Sequence, residues 1–166
     1  VEDLLEAIKL IKNKNIEKEY KIVIAGTGKE ENNLKEKCKK MKISNFVEFL
    51  GWINEEQKEK LLKENQLLVL PSYNEGLPMA VLEAISYGIP VLSTRVGDIE
   101  EAVINEKNGY LIKEGNIKEL SKYLYKFINM SKVEWEKMSE ESRKIAIEKF
   151  SDSSYYDTFI ELYKRK

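Results

Sequence analysis

The 166-residue sequence contains no histidine, which removes the commonest general base and metal ligand, and with it every Ser-His or Cys-His nucleophile pair, from this segment. Catalysis here has to use other groups. Cysteine occurs once, as Cys38, so internal disulfides and cysteine-based zinc sites are excluded and a reducing compartment fits. Its setting in a Lys/Glu-rich helical stretch reads as a half-buried packing position. No stretch reaches the roughly 18 apolar residues of a membrane helix, and the N-terminus has no signal-peptide pattern. An excess of either charge is also missing: 28 Lys+Arg face 29 Asp+Glu, for a formal charge of −1. No net basic field gathers phosphate backbones or anionic lipids, so nucleic acid is not an expected partner. Arginine is scarce (Arg95, Arg143 and Arg165), and the Lys, Ile and Asn enrichment reads as compositional bias rather than chemistry.

What is present describes one globular domain spanning 1–166. The chain is 42% hydrophobic and 34% charged, and a chain of this size hides roughly two thirds of its unfolded surface. Val1, Leu4, Leu5, Ile8 and Ile11 recur at helical spacing. A helical pattern that begins at once, on valine rather than methionine, is expected of a part of a longer protein. Lys21 to Ala25 is then an apolar strand closed by Gly26-Thr27-Gly28. Leu34, Cys38 and Met41 mark a second helix, Phe46 to Leu50 a second strand, Glu55 to Leu62 a third helix, and Leu67 to Leu70 a third strand stopped by Pro71. Ala80 to Tyr87 predicts a helix with Gly88 at its C-terminal cap, followed by strands at Pro90–Thr94 and Gly109–Ile112. Three helical patterns close the chain, at 117–130, 133–149 and about 153–165, with Trp135, Tyr155, Tyr156 and Phe159 as core anchors.

Strands alternating with helices imply βαβ units and a Rossmann-like, doubly wound parallel sheet with helices on both faces, here followed by a C-terminal helical segment. Unalternating runs such as LLVL and PVLST are expected of strands covered on both sides.

The chemically informative stretch is the strand, polar turn and helix from Leu70 to Ala84. Ligands of open α/β sheets lie beyond the carboxyl ends of the strands, where this turn must sit. Pro78 suits the first helical turn, since its fixed φ fits and its missing N–H would have had no partner. The free amides of Met79, Ala80 and their neighbours would point outward at the positive end of the helix dipole, a ready site for a phosphate. Gly76 lets a ligand approach the backbone with no Cβ in the way. Glu75 and Glu83 flank that site, and a carboxylate that accepts two hydroxyl hydrogen bonds can clamp a vicinal diol. Phosphate between two such clamps describes a nucleotide-sugar. Taken singly, without the surrounding pattern, Glu75 reads as a solvated loop acid and Glu83 as a helix acid complementing the dipole.

These residues resemble family 4 of the retaining glycosyltransferases, which have the two-domain GT-B architecture. The resemblance runs through IVIAGTGKE, VEFLGWI, the block LLVLPSYNEGLPMAVLEAISYGIPVLSTRVGDIEEAV and NGYLI, and the family's E-x7-E element falls on Glu75 and Glu83. It implies that Glu75 contacts the donor sugar and Glu83 the ribose hydroxyls, with Gly76, Leu77, Pro78 and Met79 beside the sugar and diphosphate. Gly51, Trp52 and Ile53 would line the nucleobase pocket, largely through backbone groups. Gly97-Asp98 departs from the Gly-Gly common in the family, and Glu100 stands where proline is common.

The resemblance covers only the C-terminal, donor-binding half. The N-terminal acceptor domain is missing, and so are the strand and the Arg/Lys loop that normally open this half. In a strand order of the 3-2-1-4-5-6 type that strand is central, so either the sheet has a gap or Val1 is simply where the sequence starts. The implied activity is metal-free transfer of a hexosyl unit, without a cofactor, from a UDP- or GDP-linked sugar to a saccharide or lipid-linked acceptor. No Asp-x-Asp element lies near the signature. The resemblance further implies a bacterial cell-surface polysaccharide or glycolipid pathway and a cytoplasmic setting, with the intact enzyme able to associate peripherally with the inner membrane face. Fold alone does not select a reaction, so an epimerase or phosphorylase-like enzyme and a non-catalytic nucleotide-sugar-binding domain stay open as alternatives. Gly26-Thr27-Gly28 lacks the third glycine of a dinucleotide fingerprint and reads as a tight turn near the donor, and Arg95 as half of a surface ion pair.

Overall fold

In the computed structural model, which describes residues 1–14, 16 and 18–151, the apolar periods become helices alternating with strands. The order is α1 (Glu2–Ile11), β1 (Ile22–Ala25), α2 (Glu31–Met41), β2 (Val47–Gly51), α3 (Glu55–Glu64), β3 (Leu68–Leu70), α4 (Met79–Ser86), β4 (Val91–Thr94), α5 (Ile99–Ala102), β5 (Gly109–Ile112), α6 (Ile117–Ile128) and α7 (Lys132–Phe150). The expected last helix, with Tyr155, Tyr156 and Phe159, lies outside the described residues.

Every strand pair is parallel, and helices cover both faces. The alternation of side chains along β4 and β5 sorts the core. Leu92, Tyr110 and Ile112 point into a cluster built by α1, α2 and α6, whereas Val91 and Leu111 point into one built by α4, α5 and α7. Neighbouring β-positions therefore feed opposite layers.

The single sheet expected from the sequence is divided. Among the described residues β1 pairs only with β2, while β3, β4 and β5 form a separate three-stranded sheet. Between β1 and β3 lies a cavity of about 1110 Å³ with Ile22 to Ala25 on one margin and Leu67 to Leu70 on the other. The division falls where the central strand was expected to be missing. It also explains a difference in burial: β4 and β5 are wholly buried, but β3, the most apolar of the three, is only half-buried because one of its edges faces the cavity.

Local signals fix the helices. Asn54 and Ser131 close capping boxes with Gln57 and Glu134 at the starts of α3 and α7. Pro78 stands one residue earlier than expected, as the N-cap of α4 with extended backbone (φ −67°, ψ 130°), so the helix begins at Met79. Gly88 follows α4 with φ 75°, and a Cβ there would lie 2.6 Å from Arg143 Nε, so its bare backbone lets α7 dock closely. Trp135 anchors the other end of α7 by donating its indole N–H to the Gln66 carbonyl at 2.7 Å. Cys38 is fully rather than half buried, at 2% exposure, between α1 and α2.

Candidate functional site

The turn from β3 to α4 is held from below and from one side. Ser72 Oγ donates to Glu75 Oε1 at 2.7 Å, and Thr94 Oγ1 at the end of β4 donates to the Ser72 carbonyl at 2.5 Å. The Asp98 amide donates to the Gly76 carbonyl at 3.1 Å. Gly97, at φ 56°, sits so close that a Cβ would lie 2.1 Å from the Glu75 carbonyl oxygen and 2.6 Å from that of Gly76. Only a glycine lets the loop after β4 back the turn at this distance.

The amides of Gly76, Leu77, Met79 and Ala80 make no hydrogen bond to any described residue, and the Pro78 carbonyl receives Val81 and Leu82. Four unpaired donors thus cluster at the start of an eight-residue helix. Helix-end amides of this kind, with the positive end of the dipole behind them, bind phosphate groups. Gly76 and Ala80 are exposed, and Met79 keeps 65% of its surface in solvent.

Glu83 lies just over one turn further along α4. Its Oε1 accepts from Lys58 Nζ at 2.8 Å, and the two side chains are each about a third exposed, at 31% and 33%. Lys58 also reaches Glu55, at 2.9 Å. The hydrogen bond that Lys58 donates to Glu83 first, and the one it donates to Glu55 second, hold its ammonium well above the ordinary lysine range.

The expected site residues divide into two groups. Ile53 and Glu83 line the upper part of the cavity together with Lys58, Ser72, Tyr73 and Ala80. Glu75, Gly76, Leu77, Pro78 and Met79 form the turn beside it, and Gly51 and Trp52 lie at the end of β2. The Trp52 indole is 73% exposed. Gly51 has φ 68°, and its carbonyl accepts from the Gly26 amide at 2.7 Å, so the Gly26-Thr27-Gly28 turn packs beside the end of β2. Arg95 pairs with Glu100 at 2.9 Å on the surface.

The roles of three residues escaped the sequence reading. Ser72 is a short polar residue in a polar loop, Gly97 one glycine among several, and Lys58 one lysine in a helix reading EEQKEKLLKE that looks like a solvated face. A glycine adjoining the strand end that faces the turn was the one available signal for Gly97. Nothing local announced Lys58. Among the described residues no group of three or more His, Cys, Asp or Glu side chains is placed to hold a metal ion.

Parallel sheets under helices on both faces are the architecture this chain shares with the GT-B glycosyltransferases. Over 98% of its length the chain follows the fold of S. aureus TarM, solved as a mutant in complex with fondaparinux, α-GlcNAc-glycerol and UDP, at a TM-score of 0.83 and 24% identity, covering 32% of that chain. Residues 1–145 match the family described as Glycosyl transferases group 1, and the protein belongs to that family. It is 32% identical over 126 residues to an uncharacterized glycosyltransferase of Haemophilus influenzae, covering 75% of this chain and 35% of that one. It is 35% identical over 113 residues to the UDP-Gal:α-D-GlcNAc-diphosphoundecaprenol α-1,3-galactosyltransferase of Escherichia coli, covering 68% of this chain and 29% of that one. The chain thus spans about a third of the length of the curated relatives it matches.

Proposed function

We propose that the intact protein is a retaining, family 4 hexosyltransferase and that residues 1–166 are its donor-binding domain. The observation that carries this reading is the set of four unpaired amides from Gly76 to Ala80, set between the carboxylates of Glu75 and Glu83. A diphosphate seated on those amides gains negative charge as the sugar departs, and donors already aimed at it stabilise that charge without reorganising. Positive helix-end charge then takes the part a metal ion would otherwise play, so the proposed transfer is metal-free and uses no cofactor. Glu75, fixed by Ser72, faces the hexose, and Glu83 takes the ribose hydroxyls.

The donor is a UDP- or GDP-linked hexose, in keeping with the UDP in the TarM complex and the UDP-galactose of the Escherichia coli relative's name. That relative's diphosphoundecaprenol acceptor supports a lipid-linked or saccharide acceptor here, met at the inner membrane face and bound by a second, N-terminal domain. The cavity between β1 and β3 supports the same division. Tyr73, just past β3, donates to Asp3 in the first turn of α1 at 2.8 Å, so α1 starts at the carboxyl end of β3. A strand leading into α1 from upstream would run parallel to β1 and β3 and fill the space between their unpaired edges. The phenol of Tyr20, buried on the cavity wall with no hydrogen-bond partner among the described residues, would find one there.

Calorimetry and turnover of the intact protein test the reading. Glu83→Ala weakens nucleotide-sugar binding, and Glu75→Gln lowers turnover by about 10²-fold or more while binding changes little, since contacts realised in the transition state act on kcat. Unchanged donor affinity in the first variant or normal turnover in the second removes the corresponding role.

A further inference from the structure

Glu83 does not stand alone: a lysine from a different βα unit, 25 residues earlier in the chain, holds it. We propose that Lys58 is a positioning residue for the donor, fixing the Glu83 carboxylate by one oxygen so that the other is presented to the ribose diol. This deepens the donor-site reading above and rests on it.

The geometry supplies each step. The strand end that carries Gly51, Trp52 and Ile53 runs straight into the Asn54 capping box, in which Asn54 Oδ1 accepts the Gln57 amide at 2.8 Å and the Asn54 amide donates back to Gln57 Oε1 at 2.9 Å. That box locks the first turn of α3, and Lys58 is the next residue. Its ammonium spans to Glu83 Oε1, while Glu83 Oε2 makes no hydrogen bond to a described residue. A free glutamate on a helix surface samples several rotamers, and each must be given up when a ligand is clamped. Lys58 removes that freedom beforehand, leaving Glu83 Oε2 to accept from the hydroxyl donors. The residues expected around the base and the acid expected at the ribose thereby become one connected unit.

The test measures binding of UDP and of 2′,3′-dideoxy-UDP to the intact protein by calorimetry, with the GDP pair substituted if GDP binds more tightly. The readout is the affinity ratio within each pair, which loss of general stability does not move. Glu83→Ala lowers the ratio by about tenfold or more, the value of hydrogen bonds to a charged acceptor. Lys58→Met, which keeps the aliphatic stem, lowers it by about fivefold. Lys58→Arg, which keeps the charge and the donor, restores most of it, and adding Lys58→Met to Glu83→Ala produces no further fall. If Glu83→Ala collapses the ratio while Lys58→Met leaves it at the wild-type value, or if the two losses multiply, the role of Lys58 is overturned and that of Glu83 survives. If Glu83→Ala leaves the ratio unchanged, the ribose reading fails and this inference with it.

Discussion

The two sides of this domain were built from similar sequence and have different environments. β3 (LVL) and β4 (VLST) are both short and run parallel, and they share a register from Leu68↔Val91 to Leu70↔Ser93. Yet β4 is wholly buried between paired neighbours, while β3 has one paired edge and one facing the cavity. Hydrophobic composition therefore does not set burial; the identity of the next strand does. The catalytic chemistry proposed here sits on the boundary, since the turn after β3 is braced by β4 and its loop on the closed side and borders the cavity on the other.

The largest expected effect tests the closed side. Leu92→Ala, at a fully buried β4 position, costs about 2–5 kcal/mol in urea unfolding. Leu70→Ala on half-buried β3 costs about half as much or less in residues 1–166, because a side chain already partly in water loses less on truncation. In the intact protein the two costs converge if a strand fills the cavity. A persistent difference there would break the proposal for that space.

Gly97→Ala comes next and acts across the boundary. Its positive φ strains any side chain, and the new methyl would strike the Glu75 and Gly76 carbonyls, so about 1–3 kcal/mol of stability is lost and the turn is pushed out of place. Donor binding by the intact protein falls with it. Retained affinity would show that the turn tolerates displacement, and the contrast between a braced side and an open one would lose its functional meaning.

The smallest effect concerns α7, whose first turn carries Trp135 beside the cavity and whose later turns pack into the closed core through Ile145. Hydrogen bonds from the Ser131 hydroxyl and then its amide hold the Glu134 carboxyl below the ordinary carboxylate range. A depressed folded-state pKa contributes stability that is full above the unfolded value, about 4.3, and is lost as pH falls through the folded value. Wild type should therefore melt slightly above Glu134→Gln at pH 7, with the gap closing in acid below about pH 4. A gap that stays constant with pH would assign the cap to shape alone.

Much of this was legible beforehand. Each predicted strand, and each predicted helix among the described residues, appears within a few residues of its expected bounds, because period and capping are properties of adjacent residues. The turn from Ser72 to Met79 was legible for the same reason, being a strand end, a glycine and a proline in sequence. The half-buried state of β3, the approach of Gly97 to Glu75 and the grip of Lys58 on Glu83 were not. Each depends on a partner more than twenty residues away, or on which strand edge is left beside the cavity.

By itself, then, the sequence determined which segments are helix and strand, the short α5 excepted, that the strands run parallel, and that a helix start with a proline and a glycine stands between two acids. These follow from side-chain periods, from the φ of proline and glycine, and from hydrogen bonds that close within a few residues. The tertiary structure alone decided which lysine meets which glutamate, which glycine supports the turn, and where the sheet divides. The physical reason is that docking distances between elements are set by the packing of whole layers, which no short stretch of sequence encodes.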